Sequence, residues 1–287
     1  MAQKTVPFPS PPATGHEKES GEERGGGTMA TMASRYRMSE RGFNRFTIIC
    51  GPIAQMLFFL FLPASLQLPP ISPSFTPEAT AHHYRQNYTG TKGGIALMLL
   101  SGMFWPVYTG GVNGQLARIP GINPTVLWAQ LGVGSLGGIS LMVPSILFAT
   151  TIYRLDRDPV LTQLLSDLAW FFFSMPLTPF IAQDLLISYA VLSDRRAVPI
   201  VPHWVAWINT GLTMTLFPTL GVHCVHHGAV AWNGALTFWV GAAGFGLQVG
   251  LLVFFLLKAV VRPDDDDDEP GAAVSATAAS GDSSLES

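Results

Sequence analysis

Charge is what this chain has least of: Lys, Arg, Asp and Glu make up 12% of its 287 residues, about half the share found in soluble domains. That deficit excludes an ordinary water-exposed globule. Cysteine is equally scarce, with only Cys50 and Cys224, which excludes a disulfide-stapled scaffold and leaves each thiol to pack rather than react. No sustained basic patch is present, so nucleic acid is not a partner. The sequence has no glycine-rich nucleotide loop, GxSxG elbow, HExxH or kinase signature, and no cofactor is expected. Residues 46–150 and 161–258 show no internal repeat, which removes one usual mark of a secondary transporter.

What the sequence has instead is apolar length. Hydrophobic residues make up 48% of the chain, and six segments, about 46–67, 93–116, 126–150, 161–190, 203–224 and 235–258, are each long enough to cross a bilayer. The expected fold is all-α, a polytopic membrane bundle of six transmembrane helices over residues 46–258. Residues 1–45 read as a disordered tail ending in a basic flank, and residues 259–287 as a disordered tail opening on the acidic run Asp264 to Glu269. The first apolar segment starts only at Phe46, too far in for a cleaved secretory signal, so it reads as a retained signal-anchor.

Arg35, Arg37, Arg41, Arg45, Arg118, Arg195, Arg196, Lys258 and Arg262 fall on one side of a six-span topology, and Arg85, Lys92, Arg154 and Arg157 on the other. Nine against four places both termini in the cytosol under the positive-inside rule, in the endoplasmic reticulum or the plasma membrane. The loop at 68–92 is then lumenal or extracellular. Its proline run LPPISPSFTP reads as a stiff spacer, with a cap over the bundle as the alternative. The same loop carries Asn87-Tyr88-Thr89, a glycosylation acceptor. Gly134 with Gly138, and Gly246 with Gly250, have the small-xxx-small spacing that lets helix backbones approach closely in lipid.

The stretch from Asp156 to Asp194 organises the candidate chemistry. Asp158-Pro159 is a helix start, with a capping carboxylate followed by a proline whose missing donor costs nothing at the first position. At about 100° per residue, Gln163, Asp167, Trp170, Ser174, Asp184 and Ser188 share one side of that helix. Lipid cannot satisfy these groups, so the stripe should face other helices or a hydrated cavity, while Leu164, Leu168, Phe172 and Leu186 suit lipid or packing. Pro176 and Pro179 are expected to kink the helix and rotate its second half. Asp167 and Asp184 are the candidate catalytic residues, and Gln163, Trp170, Ser174, Trp232 and Asn233 the candidate pocket residues. Trp232 and Asn233 belong to Ala231-Trp232-Asn233-Gly234, which reads as a tight hairpin with an interfacial tryptophan, or as the lid of a cavity bordered by Asp167. His223 and His227, four residues apart, are weak metal candidates that need further ligands such as His82 or His83. Plain interfacial histidines are the expectation. Asn209 and Gln248 should hydrogen-bond between helices.

The strings AQLGVGSLGGISLMVPSILF, LDRDPVLTQLLSDLAWFFFSMPLTPFIAQDLLIS and GAVAWNGALTFWV, in this order, resemble a family of multi-pass membrane proteins of actinobacteria and filamentous fungi. The resemblance covers about residues 46–258 and implies a six-helix membrane fold; no activity comes with it. Its bacterial members lack the His223, His226 and His227 cluster. By association with fungal natural-product genes, it suggests lipophilic secondary metabolites as a substrate class.

The functional expectation is a protein that binds or transforms a lipophilic small molecule between the central helix and its neighbours. Asp167 would hold the polar end, or act as the general acid of a cyclase or isomerase. A small oligomeric transporter or permease, and a non-catalytic scaffold, are the alternatives.

Overall fold

The computed structural model describes residues 38–262, so the expected tails up to residue 37 and from residue 263 lie outside the described residues. Among the described residues there is no strand. Helix α1 (Glu40–Ala64) is followed by short α2 (Pro77–Gln86), then α3 (Tyr88–Leu116), α4 (Pro124–Ile152), α5 (Pro159–Ser174) and α6 (Thr178–Ser193). Helix α7 (His203–Thr213) continues as a 3-10 helix (Met214–Cys224), and a π-helical turn (Ala235–Val240) leads into α8 (Gly241–Val261). Five helical stretches are long and apolar enough to cross a membrane: α1, α3, α4, α5 with α6, and the π turn with α8.

The helix starts follow local chemistry. Thr76, Asn123 and Asp158 each accept a hydrogen bond from a backbone N–H two or three residues on, at 3.2, 2.9 and 2.8 Å, and proline follows each cap. This arrangement satisfies donors that the first turn leaves orphaned. At Pro176 and Pro179 the expected kink is a full break: α5 ends at Ser174 and α6 starts anew at Thr178.

The expected helix over 203–224 is α-helical only to Thr213. Pro218 removes a donor from the second half, and a proline ring also crowds the carbonyl one turn back. Thr215 and Thr219 turn their hydroxyls onto the carbonyls three residues earlier, each at 2.6 Å, so the tighter 3-10 turn wins. Helix α1 in turn begins at Glu40, which puts Arg41 and Arg45 on its first turns rather than in a preceding flank.

Close backbone approach fixes the order of packing. A Cβ on Gly51 of α1 would meet the Tyr108 ring of α3 at 2.6 Å, and Gly111 of α3 lies against Thr47. Gly134 and Gly138 of α4 face Thr109 and Pro106 of α3, as their spacing suggested. Gly246 and Gly250 correct that reading, since nothing lies within 4 Å of the Cβ either would carry. They belong to the outward face of α8, where no helix crosses.

That outer surface is apolar. Leu164, Leu168 and Phe172 face out as expected, and Trp128, Trp204 and Trp207 are exposed near one end of the bundle, as interfacial tryptophans are. At that same end Arg118 donates to the Ala259 and Arg262 carbonyls at 2.9 and 3.2 Å, and Arg262 donates to the Pro199 carbonyl at 3.0 Å. Since Gly111 near the end of α3 lies against Thr47 near the start of α1, the start of α1 and the end of α8 lie at one end of the bundle.

Asp194, which is 1% exposed, locks the link between α6 and α7 at this end. Its carboxylate accepts from Arg196 at 2.9 and 2.7 Å and from the Ile200 N–H at 2.8 Å. Burial alone would push its pKa up, but the hydrogen bonds from Arg196 and Ile200 outweigh burial and hold it below the ordinary value. Because its pKa is lower folded than unfolded, this stabilisation is complete at neutral pH. It weakens below about pH 3.9 and disappears as the pH passes below the folded value. Asp194→Ala is expected to cost about 2–3 kcal/mol and to remove that acid sensitivity, read as a melting temperature that no longer falls between neutral and acidic buffer.

Candidate functional site

Aromatic rings fill the end of the bundle opposite Arg196. Phe58 of α1 stacks on Phe173 at 4.9 Å between centroids, Trp170 meets Phe148 edge-on at 5.5 Å, and the Trp170 and Trp232 rings lie parallel at 6.3 Å. Bulky rings joined by a helix break cannot fill every gap, and a cavity of about 50 Å³ remains where α5 stops. Phe58, Phe173, Ser174, Trp232, Phe238 and Phe245 are among its walls. Its polar groups are hydroxyls: Thr219 and Thr237 are committed to the Leu216 and Val230 carbonyls at 2.6 and 2.8 Å. The Ser174 hydroxyl makes no hydrogen bond to another described residue, and Ser174 is buried.

Beside this cavity a wider apolar groove of about 510 Å³ opens between α1 and the π turn, with Met56, Leu60, Leu68 and Trp239 on its walls. Phe59, Phe238 and Ala242 line both spaces. The groove is on the outward surface, where Met56, Leu60 and Trp239 are exposed, and Gly246 borders it. This explains why that glycine meets no helix.

A cap closes the bundle end. The segment after α1 is no plain spacer: the Ile71 carbonyl accepts from Trp232 Nε1 at 2.8 Å, the Phe75 carbonyl from Gln163 Nε2 at 2.8 Å, and Ser74 donates to the His226 carbonyl at 2.8 Å. Prolines make it stiff, and three side-chain hydrogen bonds to distant elements make it a strap. Under the strap Tyr84 and Ser166 share a hydrogen bond of 2.9 Å. Burial, opposed by hydrogen bonding from Ser166, pushes the Tyr84 pKa up to about 12, so the phenol stays neutral. Gln67 is fully buried nearby, where its amide acts on the Tyr84 phenol.

The candidate residues thus divide among three places. Ser174 and Trp232 line the cavity, and Trp170 backs it through the stack with Trp232. Gln163 is held by the strap, while Asp167, half-buried, acts on Tyr84 and His226 and not on the cavity wall. Asn233 is half-buried beside Trp232 but does not line the cavity.

Asp184 lies past the helix break, in a separate polar cluster between α6, α7 and α8. Asn209 Nδ2 donates to the Asp184 carbonyl at 3.1 Å and to Ser188 Oγ at 2.9 Å, and Gln248 Nε2 donates to Thr213 Oγ1 at 3.4 Å. Asn209 and Gln248 therefore bond between helices as the sequence suggested.

His223 and His227 are exposed, and the helix that would align them ends between them at Cys224. Among the described residues no group of three or more His, Cys, Asp or Glu could hold a metal. His82 is exposed, and His83 lies against Asn87 Nδ2 at 3.5 Å. Asn87 itself joins α2 to α3 and is half-buried. Cys50 is buried and Cys224 exposed, both as free thiols.

Sequence reasoning missed Phe58, Phe173, Phe238 and Phe245, since phenylalanines are ordinary in any apolar helix. It also missed Gln67 and Gln183, the latter buried in α6 and donating to Thr109 Oγ1 of α3 at 3.2 Å; their signal was available, since each is a lone amide in an apolar run. Comparison with protein-family models, curated proteins and solved structures finds no match.

Proposed function

We propose that this is a six-span membrane protein with both termini cytosolic. On this reading it takes a lipophilic small molecule out of the bilayer through the groove between α1 and the π turn and holds its apolar end in the aromatic cavity. The observation that carries it is that the two spaces adjoin, with Phe59, Phe238 and Ala242 lining both. A groove on a lipid-facing surface admits a molecule already dissolved in lipid, and a mostly apolar pocket with one free hydroxyl suits a ligand with a single polar handle. Ser174 is that hydroxyl. The inner cavity is small, about 50 Å³, so it takes a terminal group while the rest of the molecule lies in the groove. Asp167 sits under the strap, at the rim rather than at the ligand.

The test is extraction and mass spectrometry of the full chain purified in mild detergent. The wild type is expected to carry a lipophilic compound distinct from bulk lipid, and Ser174→Phe, which fills the cavity, to lose it. A wild type that carries only bulk lipid overturns the reading. Metabolite profiles of a deletion strain then separate roles: an accumulating precursor means transformation, and an unchanged total with an altered split between cells and medium means transport.

A further inference from the structure

The polar cluster at Asp184 has a one-sided chemistry. Asp184, Asn209 and Gln248 are each more than nine-tenths buried. The amide nitrogens of Asn209 and Gln248 have acceptors, whereas Asp184 Oδ2, Asn209 Oδ1 and Gln248 Oε1 have no partner. The Gln248 amide also acts on the Asp184 carboxylate as a hydrogen-bond donor, and the buried Tyr108 phenol faces that carboxylate as a neutral group. The three groups are also linked: Asn209 bonds the Asp184 carbonyl, and the Thr213 hydroxyl that accepts from Gln248 donates to the Asn209 carbonyl at 2.8 Å. What is missing is positive charge. No Lys, Arg or His acts on Asp184 among the described residues, and Arg196 is committed to Asp194.

Orphaned acceptors around one carboxylate inside a membrane bundle need a donor or a cation. A proton on Asp184 supplies a single O–H donor, which can bond one acceptor and leaves the others unmet. A divalent ion would leave an excess positive charge in apolar surroundings. A monovalent ion with a taste for oxygen neutralises the carboxylate and takes amide and hydroxyl oxygens as its remaining ligands. By rise per residue, Asp184 lies about 14 Å and Gln248 about 20 Å inside the end that carries Arg196 and Arg262, well within a bilayer.

We infer that Asp184, Asn209 and Gln248, with the hydroxyls of Ser188 and Thr213, form a sodium-binding site between α6, α7 and α8. The site is separate from the aromatic cavity and does not depend on the ligand proposed there.

The experiment is thermal unfolding of the purified full chain in NaCl, KCl or N-methylglucamine chloride at one pH and one ionic strength. Sodium is expected to raise the melting temperature saturably, because a ligand bound only by the folded state stabilises it. Asp184→Asn should abolish the sodium response, since it removes the carboxylate that neutralises the ion. Gln248→Leu should shift the sodium midpoint upward by about ten-fold, equivalent to about 1.4 kcal/mol. Equal melting temperatures for the wild type in all three salts would mean a cluster that holds only water and would overturn the site. A response to pH with none to sodium would assign the cluster to a proton instead. The wild-type titration decides the matter even where a variant fails to fold.

Discussion

Gly102→Val is expected to prevent the bundle from assembling. A Cβ at Gly102 of α3 would drive into the Met142 side chain and lie 2.8 Å from the Gly138 carbonyl of α4. Met142 can swing away, but a backbone carbonyl inside a helix cannot. The reverse contact is equally tight: a Cβ on Gly138 would come within 2.7 Å of the Pro106 ring and 3.0 Å of the Gly102 carbonyl. Relief requires α3 and α4 to separate along their whole crossing, at a cost above the usual 1–3 kcal/mol of overpacking, about 4 kcal/mol or more. Fluorescence-detected size exclusion in detergent should show the variant aggregated or absent. Gly110→Val and Gly246→Val are the matched controls, because open space surrounds both positions, and each should give a wild-type profile. A normal profile for Gly102→Val would show that the two helices do not meet as closely as described.

Trp170→Ala should cost nearly as much for the opposite reason. Trp170 is 0% exposed and contacts Phe148, Phe173 and Trp232, the last at 6.3 Å in a parallel stack. Deleting a buried indole removes packing contacts and leaves a void, about 3–5 kcal/mol in all, which lowers the melting temperature of a chain this size by about 10 °C. The void adjoins the aromatic cavity through Trp232. The surviving protein should therefore retain a bulkier compound than the wild type does, measured by the same extraction and mass spectrometry. Trp232→Phe separates the two effects: it keeps a ring in the stack but loses the hydrogen bond to the Ile71 carbonyl. It should cost about 1–3 kcal/mol, less than Trp170→Ala, while speeding hydrogen exchange in the strap. A Trp170→Ala protein that melts within about 2 °C of wild type would show that this stack contributes little.

Read alone, the sequence determined the class of the molecule, because that depends on sums. Too little charge and long apolar runs give membrane helices wherever the chain goes. It also determined features that act over one turn: the Asp158-Pro159 helix start, the break at Pro176 and Pro179, and the outward faces of Leu164, Leu168 and Phe172. The α3–α4 contact at Gly134 and Gly138 was legible from spacing, but the identical spacing of Gly246 and Gly250 pointed the wrong way. Spacing records that a surface is smooth, not what lies against it.

The tertiary structure decided everything that needed distant segments to meet. Helical period put Asp167, Ser174 and Asp184 on one stripe. Depth along α5 instead parts Asp167 at the strapped end from Ser174 at the aromatic cavity, about 10 Å further on, and the break after Ser174 sends Asp184 to the cluster with Asn209 and Gln248. The proline segment at 68–76 became a strap only because Trp232, Gln163 and His226 arrive beneath it. The orphaned oxygens of Asp184, Asn209 and Gln248 could not be foreseen, since whether a polar atom is satisfied depends on neighbours far along the chain. Local rules set what each segment is; the unmet groups and unfilled spaces that could do chemistry exist only between segments.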